Sequence, residues 1–464
     1  MKTKPKRNIK RYFTLFKGVR LPWLLILCSV IFSVIMMSAE LQVATMTASI
    51  IDTSQSAINA RELLSYISVA LVSAACTIVS TYFTRKMEET ITLRVRVKLW
   101  LKIMHLPVKY YDTDNGDGLI TRITSDATGP ADLFSMAVSF IVCIVTAVQG
   151  FVQLFSYNTM LATYSLLIIP LTFVICLVYA KLTFKLGVYS TVTISGSMGY
   201  LAERVRSFKL IKSAVAEKLE VENGNKNFKE MYKADFLNWL LVAGYQIASG
   251  LFSILFIVIV FVIGGQLIPS GEVTVGDLTS FYMITGIVAM QLMQFFMNVG
   301  SVSGIFGTMQ KISEISETEP EHTAGAEVPK MCADITFDNV TFAYDDERDV
   351  LKGVSVTIPK GKVTAIIGGN GAGKSTMFKL ISRLYEPKSG KIYFGDTDIS
   401  TLELTAWRDE FSYVFQKNPL IGGTVRENIT YGLDREVSDE ELYETAKKAN
   451  CYDCVMAKPN GFDE

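Results

Sequence analysis

Histidine is almost missing from this sequence: of 464 residues, only His105 and His322 carry an imidazole. Cysteine is present but poorly spaced for metal binding. Cys451-x-x-Cys454 has the separation of half a zinc site, yet no second pair completes it. Two reduced cytosolic thiols on a helix are the simpler reading, and Cys28, Cys76, Cys143 and Cys176 lie in apolar segments. Charge imbalance is missing too. The 45 Lys and Arg match 45 Asp and Glu, so nothing points to nucleic acid or another polyanion as partner. A cleavable leader is also excluded. Residues 1–20 hold eight Lys and Arg and no acid, but the apolar run behind them is too long and lacks a small-residue cleavage site. This N-terminal stretch, 1–20, reads as a basic cytoplasmic anchor lying along a membrane surface.

What the chain has in quantity is apolar sequence. Half its residues are hydrophobic and the mean hydropathy is +0.31. A helix crossing about 30 Å of hydrocarbon needs about 20 apolar residues. Segments of that kind run over Leu21–Ala39, Leu63–Thr84, Phe236–Gly271 and Leu278–Gln310. Leu133–Ala180 is 48 residues long without one charge, enough for two spans divided at Ser156-Tyr157-Asn158. The sequence therefore predicts a six-span, all-α membrane domain over residues 21–313. Lys and Arg crowd the connections 85–132 and 181–233 and avoid 52–60, 157–158 and 267–277. That asymmetry predicts a cytosolic N-terminus and cytosolic long loops. Both long loops are helical in pattern, each tipped by a short turn, the first at Asp112–Gly118. Glu40 is the one acid set closely in apolar sequence of the first span, and the reading places it facing a water-filled cavity. Gln149, Gln153, Asn238, Gln246, Gln291, Gln294 and Asn298 are read mostly as interhelical hydrogen bonds.

A polar linker, residues 314–330, leads to a soluble part, residues 331–464. Its organising stretch is Gly368-Gly369-Asn370-Gly371-Ala372-Gly373-Lys374-Ser375, which fits G-x-x-x-x-G-K-[ST] at every fixed position. By composition, about one chain of this length in a hundred would carry the pattern by chance. Context favours the functional reading. Val363–Ile367 is an unbroken apolar run, as a strand buried on both faces should be, and Met377–Leu384 has helical apolar spacing. Glycines let backbone amides wrap a phosphate chain, the helix adds its positive end, Lys374 reaches the β/γ-phosphates and Ser375 ligates Mg²⁺. Strands are expected at Ile335–Phe337, Val340–Tyr344, Val354–Ile358 and Lys391–Gly395, and a helix at Asp439–Ala449 framed by Ser438 and Glu441 as a capping box.

The order of these pieces resembles an ABC transporter of the exporter type, a six-span half-transporter fused to an ATP-binding domain. The resemblance covers essentially the whole chain. ITFDNVTFAYDDERDVLKGVSVTIPKGKVTAIIGGNGAGKST is similar to the family's opening segment, which implies adenine stacking on Tyr344. SYVFQKNPLIGGTVRENI places Gln416 where the family has a glutamine that senses Mg²⁺ and the γ-phosphate. The implied ATP-binding set is Tyr344, Gly368, Gly369, Asn370, Gly371, Ala372, Gly373, Lys374, Ser375, Thr376 and Gln416, with Ser375 and Gln416 on the Mg²⁺. LPVKYYDTDNGDGLITRITSD and ERVRSFKLIKSAVAE resemble the family's two intracellular loops, whose coupling helices dock on ATP-binding domains. The sequence departs from the pattern as well: an LSGGQ-like signature, the catalytic Glu and the switch His do not occur in these 464 residues. The nucleotide domain thus reads as an incomplete α/β P-loop domain, and the chain as C-terminally incomplete.

The resemblance implies ATP-driven export across a plasma or inner membrane by a homodimer, or a heterodimer with a homologous half. A non-catalytic, nucleotide-binding membrane subunit is the competing class, and an importer a weaker one, since importers of this superfamily usually separate the two domains. The missing peptidase domain argues against a leader-cleaving peptide exporter. No residue names the substrate.

Overall fold

The computed structural model describes residues 16, 19–53, 60–113, 116–269, 271–329, 333–345, 348–414 and 420–464. The chain divides into two compact units, Met1–Glu321 and His322–Glu464.

Among the described residues the first unit holds six long helices: α1 (Trp23–Thr53), α2 (Ala60–Met104), α5 (Gly129–Tyr157), α6 (Thr159–Arg206), α8 (Glu217–Leu267) and α9 (Val275–Glu317). Short helices α3 (Val108–Thr113), α4 (Gly116–Thr124) and α7 (Phe208–Ser213) sit at the tips of the long connections. The expected turn over 112–118 is therefore shorter than its composition suggests, because helix runs to Thr113 and resumes at Gly116. The division at 156–158 falls where expected. Asn158 leaves the helical conformation and its side chain accepts from the amides of Met160 and Leu161, capping α6. Among the described residues, windows apolar and long enough to cross a membrane lie in Trp23–Asp52, Ala60–Met104, Gly118–Tyr157 and Val275–Phe295.

Polar groups placed between these helices find one another. Ser29 meets Thr84 and Ser33 meets Ser80, each at 2.7 Å, tying α1 to α2. Ser38 donates to Gln149 at 2.9 Å, joining α1 to α5. Inside hydrocarbon such bonds are worth about 0.6 kcal/mol each, so packing carries the rest. Beyond the apolar window, α2 buries a stripe at every fourth residue, Met87, Ile91, Val95, Leu99 and Ile103, against Ala131, Val138, Met309, Ile312 and Ile315. One amphipathic face thus continues the bundle outward.

At the opposite end, the Asp52 carboxylate accepts from the Thr274 hydroxyl at 2.5 Å and the Gly276 amide at 2.9 Å. A capping box between Thr274 and Asp277 starts α9 beside it. A Cβ at Gly276 would lie 2.3 Å from the Ala48 carbonyl oxygen, so neither backbone can yield cheaply. Gly276→Ala is expected to destabilise this unit by about 1–3 kcal/mol, read as a fall of its melting temperature in detergent. An unchanged melting temperature would show that the α1–α9 clamp is looser than drawn.

The second unit is built on a four-stranded antiparallel sheet of order β2-β1-β3-β4: β1 (Ile335–Phe342), β2 (Leu351–Ile358), β3 (Ser389–Phe394) and β4 (Thr397–Asp398). The two strands expected over 335–344 are one. Its register shifts between Phe337 and Val340, where Asn339 has φ +49°, an irregularity that bends the strand locally. Part of the 314–330 linker belongs to this unit. Ala326 donates to the Thr401 carbonyl and receives from the Glu403 amide, both at 2.8 Å, and Gly325 packs on the Leu402 backbone. The capping box expected at Ser438 is only half formed. Ser438 accepts from the Glu441 amide, but the Glu441 carboxylate turns to Arg435, at 2.8 Å, instead of back to the helix start. A bidentate guanidinium outbids a single amide.

Candidate nucleotide site

β2 leads through Lys360-Gly361 to the glycine-rich loop and then α10 (Lys374–Ile381). Gly373 has φ +88°, and a Cβ there would lie 2.5 Å from a Leu351 methyl. Glycine is therefore required twice over, by backbone and by space. The first backbone bond of the helix runs from the Met377 amide to the Gly373 carbonyl, at 3.0 Å. Ahead of it, the amides of Lys374, Ser375 and Thr376 have no backbone acceptor among the described residues. Lys374 Nζ lies 2.8 Å from the carbonyl oxygens of both Gly368 and Gly369. A flexible ammonium curled onto its own loop beside unpaired amides makes a cradle for an anion. Ser375 is exposed at the mouth, while Thr376 is buried and its hydroxyl meets the Tyr344 hydroxyl at 3.2 Å.

Tyr344 sits in a cluster of rings. Phe342 and Tyr385 approach it edge-on with centroids at 4.9 and 5.2 Å. The Lys379 ammonium lies 4.9 Å from its ring centre and 5.2 Å from that of Tyr385. Lys379 was not legible as a site residue, for nothing in sequence distinguishes it from a solvated helix lysine. Gln416 lies outside the described residues.

The far end of α10 is held by α11 (Leu404–Asp409). Trp407 donates its indole N–H to the Ile381 carbonyl at 2.8 Å, and Arg408 reaches the carbonyls of Ser382 and Arg383. Arg383 in turn donates to the Leu402 carbonyl at 2.7 Å. The orphan carbonyls of the helix are thereby satisfied by side chains. Trp407 is fully buried, with Phe394 at 5.4 Å and Phe411 at 4.9 Å. Trp407→Ala is expected to cost about 3–5 kcal/mol. Protease cleavage within 322–464 of the full chain should then occur at a distinctly lower temperature than in the unsubstituted protein.

One expectation is overturned. Val363–Ile367 forms no ladder with any strand among the described residues, and Val363 (102%) and Ile367 (92%) are fully exposed. Tyr413 and Val414 likewise present apolar side chains to the surface. A strand apolar on both faces needs neighbours on both edges and covers on both sides. The described sheet pairs β2, β1, β3 and β4 among themselves and reaches neither run. A cavity of 490 Å³ lies nearby, lined by Ile335, Ile358, Phe378, Leu384, Phe411 and Val414 among others. Its lining is mostly apolar, with Ser375 and Lys379 at one side where it adjoins the loop; the polar cradle at Lys374 is the site that phosphate chemistry favours.

A bundle of long apolar helices followed by a P-loop unit defines a membrane transporter powered by a nucleotide. Comparison with known proteins sharpens that class. The model of the ABC transporter transmembrane region matches residues 23–307, and the ABC transporter model matches 351–460. The chain is similar to the multidrug resistance ABC transporter ATP-binding and permease protein of Lactococcus lactis subsp. cremoris, 26% identical over 465 residues, covering 98% of this chain and 78% of the relative. It is also similar to the fatty acid ABC transporter ATP-binding/permease protein of Mycobacterium bovis, 28% identical over 378 residues, or 80% of this chain and 59% of the relative. The chain belongs to the ABC transporter family, as an exporter-type half-transporter that is an integral membrane protein, binds nucleotide and serves ATP-driven export.

Proposed function

We propose that this chain is one half of a dimer in which ATP and Mg²⁺, held at the 368–376 loop, drive export from the cytosolic side. The observation that supports it is the start of α10, where unpaired amides and the Lys374 ammonium converge on one point. The amides of Gly369–Ser375, with Ala372 and Asn370 shaping the loop, would wrap the β-phosphate, Lys374 would span β and γ, and Tyr344 would stack on adenine. Ser375 and Gln416 would hold Mg²⁺, which when bound neutralises charge between the β- and γ-phosphates. The six long helices would cross the membrane over residues 21–313, with 1–20, both long loops and residues 331–464 in the cytosol of a plasma or inner membrane. The partner would be a second copy or a homologous half, docked through α3–α4 and α7 as coupling segments.

A polypeptide of these 464 residues would bind nucleotide without hydrolysing it, because the signature and catalytic Glu do not occur in it. The second reading is a nucleotide-binding subunit that relies on its partner for chemistry. Relatives are named for both multidrug resistance and a fatty acid, so their names leave the cargo open. The test is binding of radiolabelled ATP to the protein in lipid nanodiscs. Binding is expected to be saturable, weakened by EDTA and lost on Lys374→Ala; binding indifferent to that substitution would overturn the site.

A further inference from the structure

Three rings crowd beside the first turns of α10. Phe342, at the end of β1, and Tyr385, just beyond α10, are both buried, and their centroids stand 5.6 Å apart, edge to face. Tyr344 is the third ring, half-buried at the rim of the cluster. Buried rings are held by close packing on all sides, whereas a rim ring is free to tilt toward water. Two residues of α10 hold this one. The Thr376 hydroxyl meets the phenol oxygen at 3.2 Å, and the Lys379 ammonium lies over the ring at 4.9 Å. Residues three apart share one face of a helix, so both grips come from the helix that begins at the phosphate cradle. A contact at the hydroxyl alone lets the ring swing about that point; a second contact on the ring face fixes its tilt.

The Lys379 side chain suits that task. Its ammonium also lies 5.2 Å from the centre of the Tyr385 ring, and the planes of Tyr344 and Tyr385 meet at 84°. The cation thus sits in a notch between two rings and is drawn to the π-system of each. Its backbone is fixed separately: the Lys379 carbonyl accepts from the amides of Leu384 and Tyr385 at 2.9 and 3.4 Å. A change of side chain therefore leaves the turn that places Tyr385. Lys379 stands five residues after Lys374, about 7.5 Å further along the helix. Its charge rests on rings, while that of Lys374 rests on the loop carbonyls of Gly368 and Gly369.

We propose that Lys379 is a positioning residue for the nucleobase: it holds Tyr344 at the tilt in which the ring receives a base, and it takes no part in binding the phosphates. The proposal deepens the nucleotide reading and rests on it. The full chain in nanodiscs is titrated with radiolabelled ATP and, in competition, with unlabelled inorganic tripolyphosphate, which carries the charge without the base. Lys379→Met, close in size and uncharged, should weaken ATP binding by about two- to fivefold and leave tripolyphosphate binding unchanged. Lys379→Arg keeps the cation and should restore ATP binding. In a Tyr344→Ala background, Lys379→Met should add no further loss. Equal weakening of both ligands by Lys379→Met would mark a direct phosphate contact or a merely structural role, and would overturn the proposal. So would an ATP affinity untouched by Lys379→Met, a Lys379→Arg variant no better than Lys379→Met, or a full further loss in the Tyr344→Ala background. Base stacking on Tyr344 fails on a different result, Tyr344→Ala binding ATP as tightly as the unsubstituted protein, which removes both readings together.

Discussion

In a dimer that carries both halves of the ATP interface, Lys374→Ala should abolish ATP-driven turnover, lowering it by about 10²–10³-fold or more. The reason is the geometry at the head of α10. Amides fixed by the backbone can hold a phosphate chain, but the Lys374 ammonium is the side chain of the loop that brings a full positive charge to it. In the present structure that charge is spent on the Gly368 and Gly369 carbonyls, 2.8 Å away, and a phosphate would draw it off. Alanine leaves the loop intact, because Gly373 with its positive φ sets the turn. Tyr344→Ala should behave differently. It removes a stacking face, so affinity for adenine nucleotides should fall while turnover at saturating ATP persists. Full transport by Lys374→Ala would remove the P-loop from the mechanism.

The second large effect concerns the 464 residues by themselves. Purified in lipid, they should release no phosphate above background, alone or as a homodimer. In the family to which the chain belongs, each ATP lies between one P-loop and a signature segment of the opposite subunit. Two copies of this polypeptide bring two P-loops and no such segment. Without a catalytic carboxylate such a polypeptide would also forgo general-base assistance, worth about 10²–10⁴-fold. The comparison is phosphate release by a version carrying a signature and catalytic Glu in cis or in trans, which should be active. Comparable release by the 464 residues, lost on Lys374→Ala, would place the catalytic machinery where neither sequence nor structure indicates it.

Different parts of the molecule were legible to different degrees, for physical reasons. Helices stood out where they had to satisfy their own backbone over a long apolar run, so α2 and the α5–α6 break at Asn158 could be read directly. The P-loop was legible because glycine at Gly373 answers a local backbone demand. Tertiary neighbours were not. Nothing in the sequence links Trp407 to the Ile381 carbonyl or Arg408 to Arg383, since the bonds depend on how the chain returns 26 and 25 residues later. The strand at 363–367 was misjudged for the same reason: apolarity states what a segment needs, not whether a neighbour supplies it. Glu40, half-buried on α1, drew attention by sitting inside a span.

α6 and α8 have 48 and 51 residues, or about 72 and 76 Å of helix. α7 joins their ends, and there Glu220 receives both the Tyr200 hydroxyl at 2.6 Å and the Arg204 guanidinium at 3.1 Å. Arg204 also covers the Tyr200 ring at 4.6 Å. The pair is thus a stiff boom pinned at its tip. A tilt of about 5° displaces the end of such a rod by about 6–7 Å, more than one helical turn. Small movements at the α7 end are geometrically magnified at the other, so this hairpin is built as a mechanical lever whose gain is set by its length.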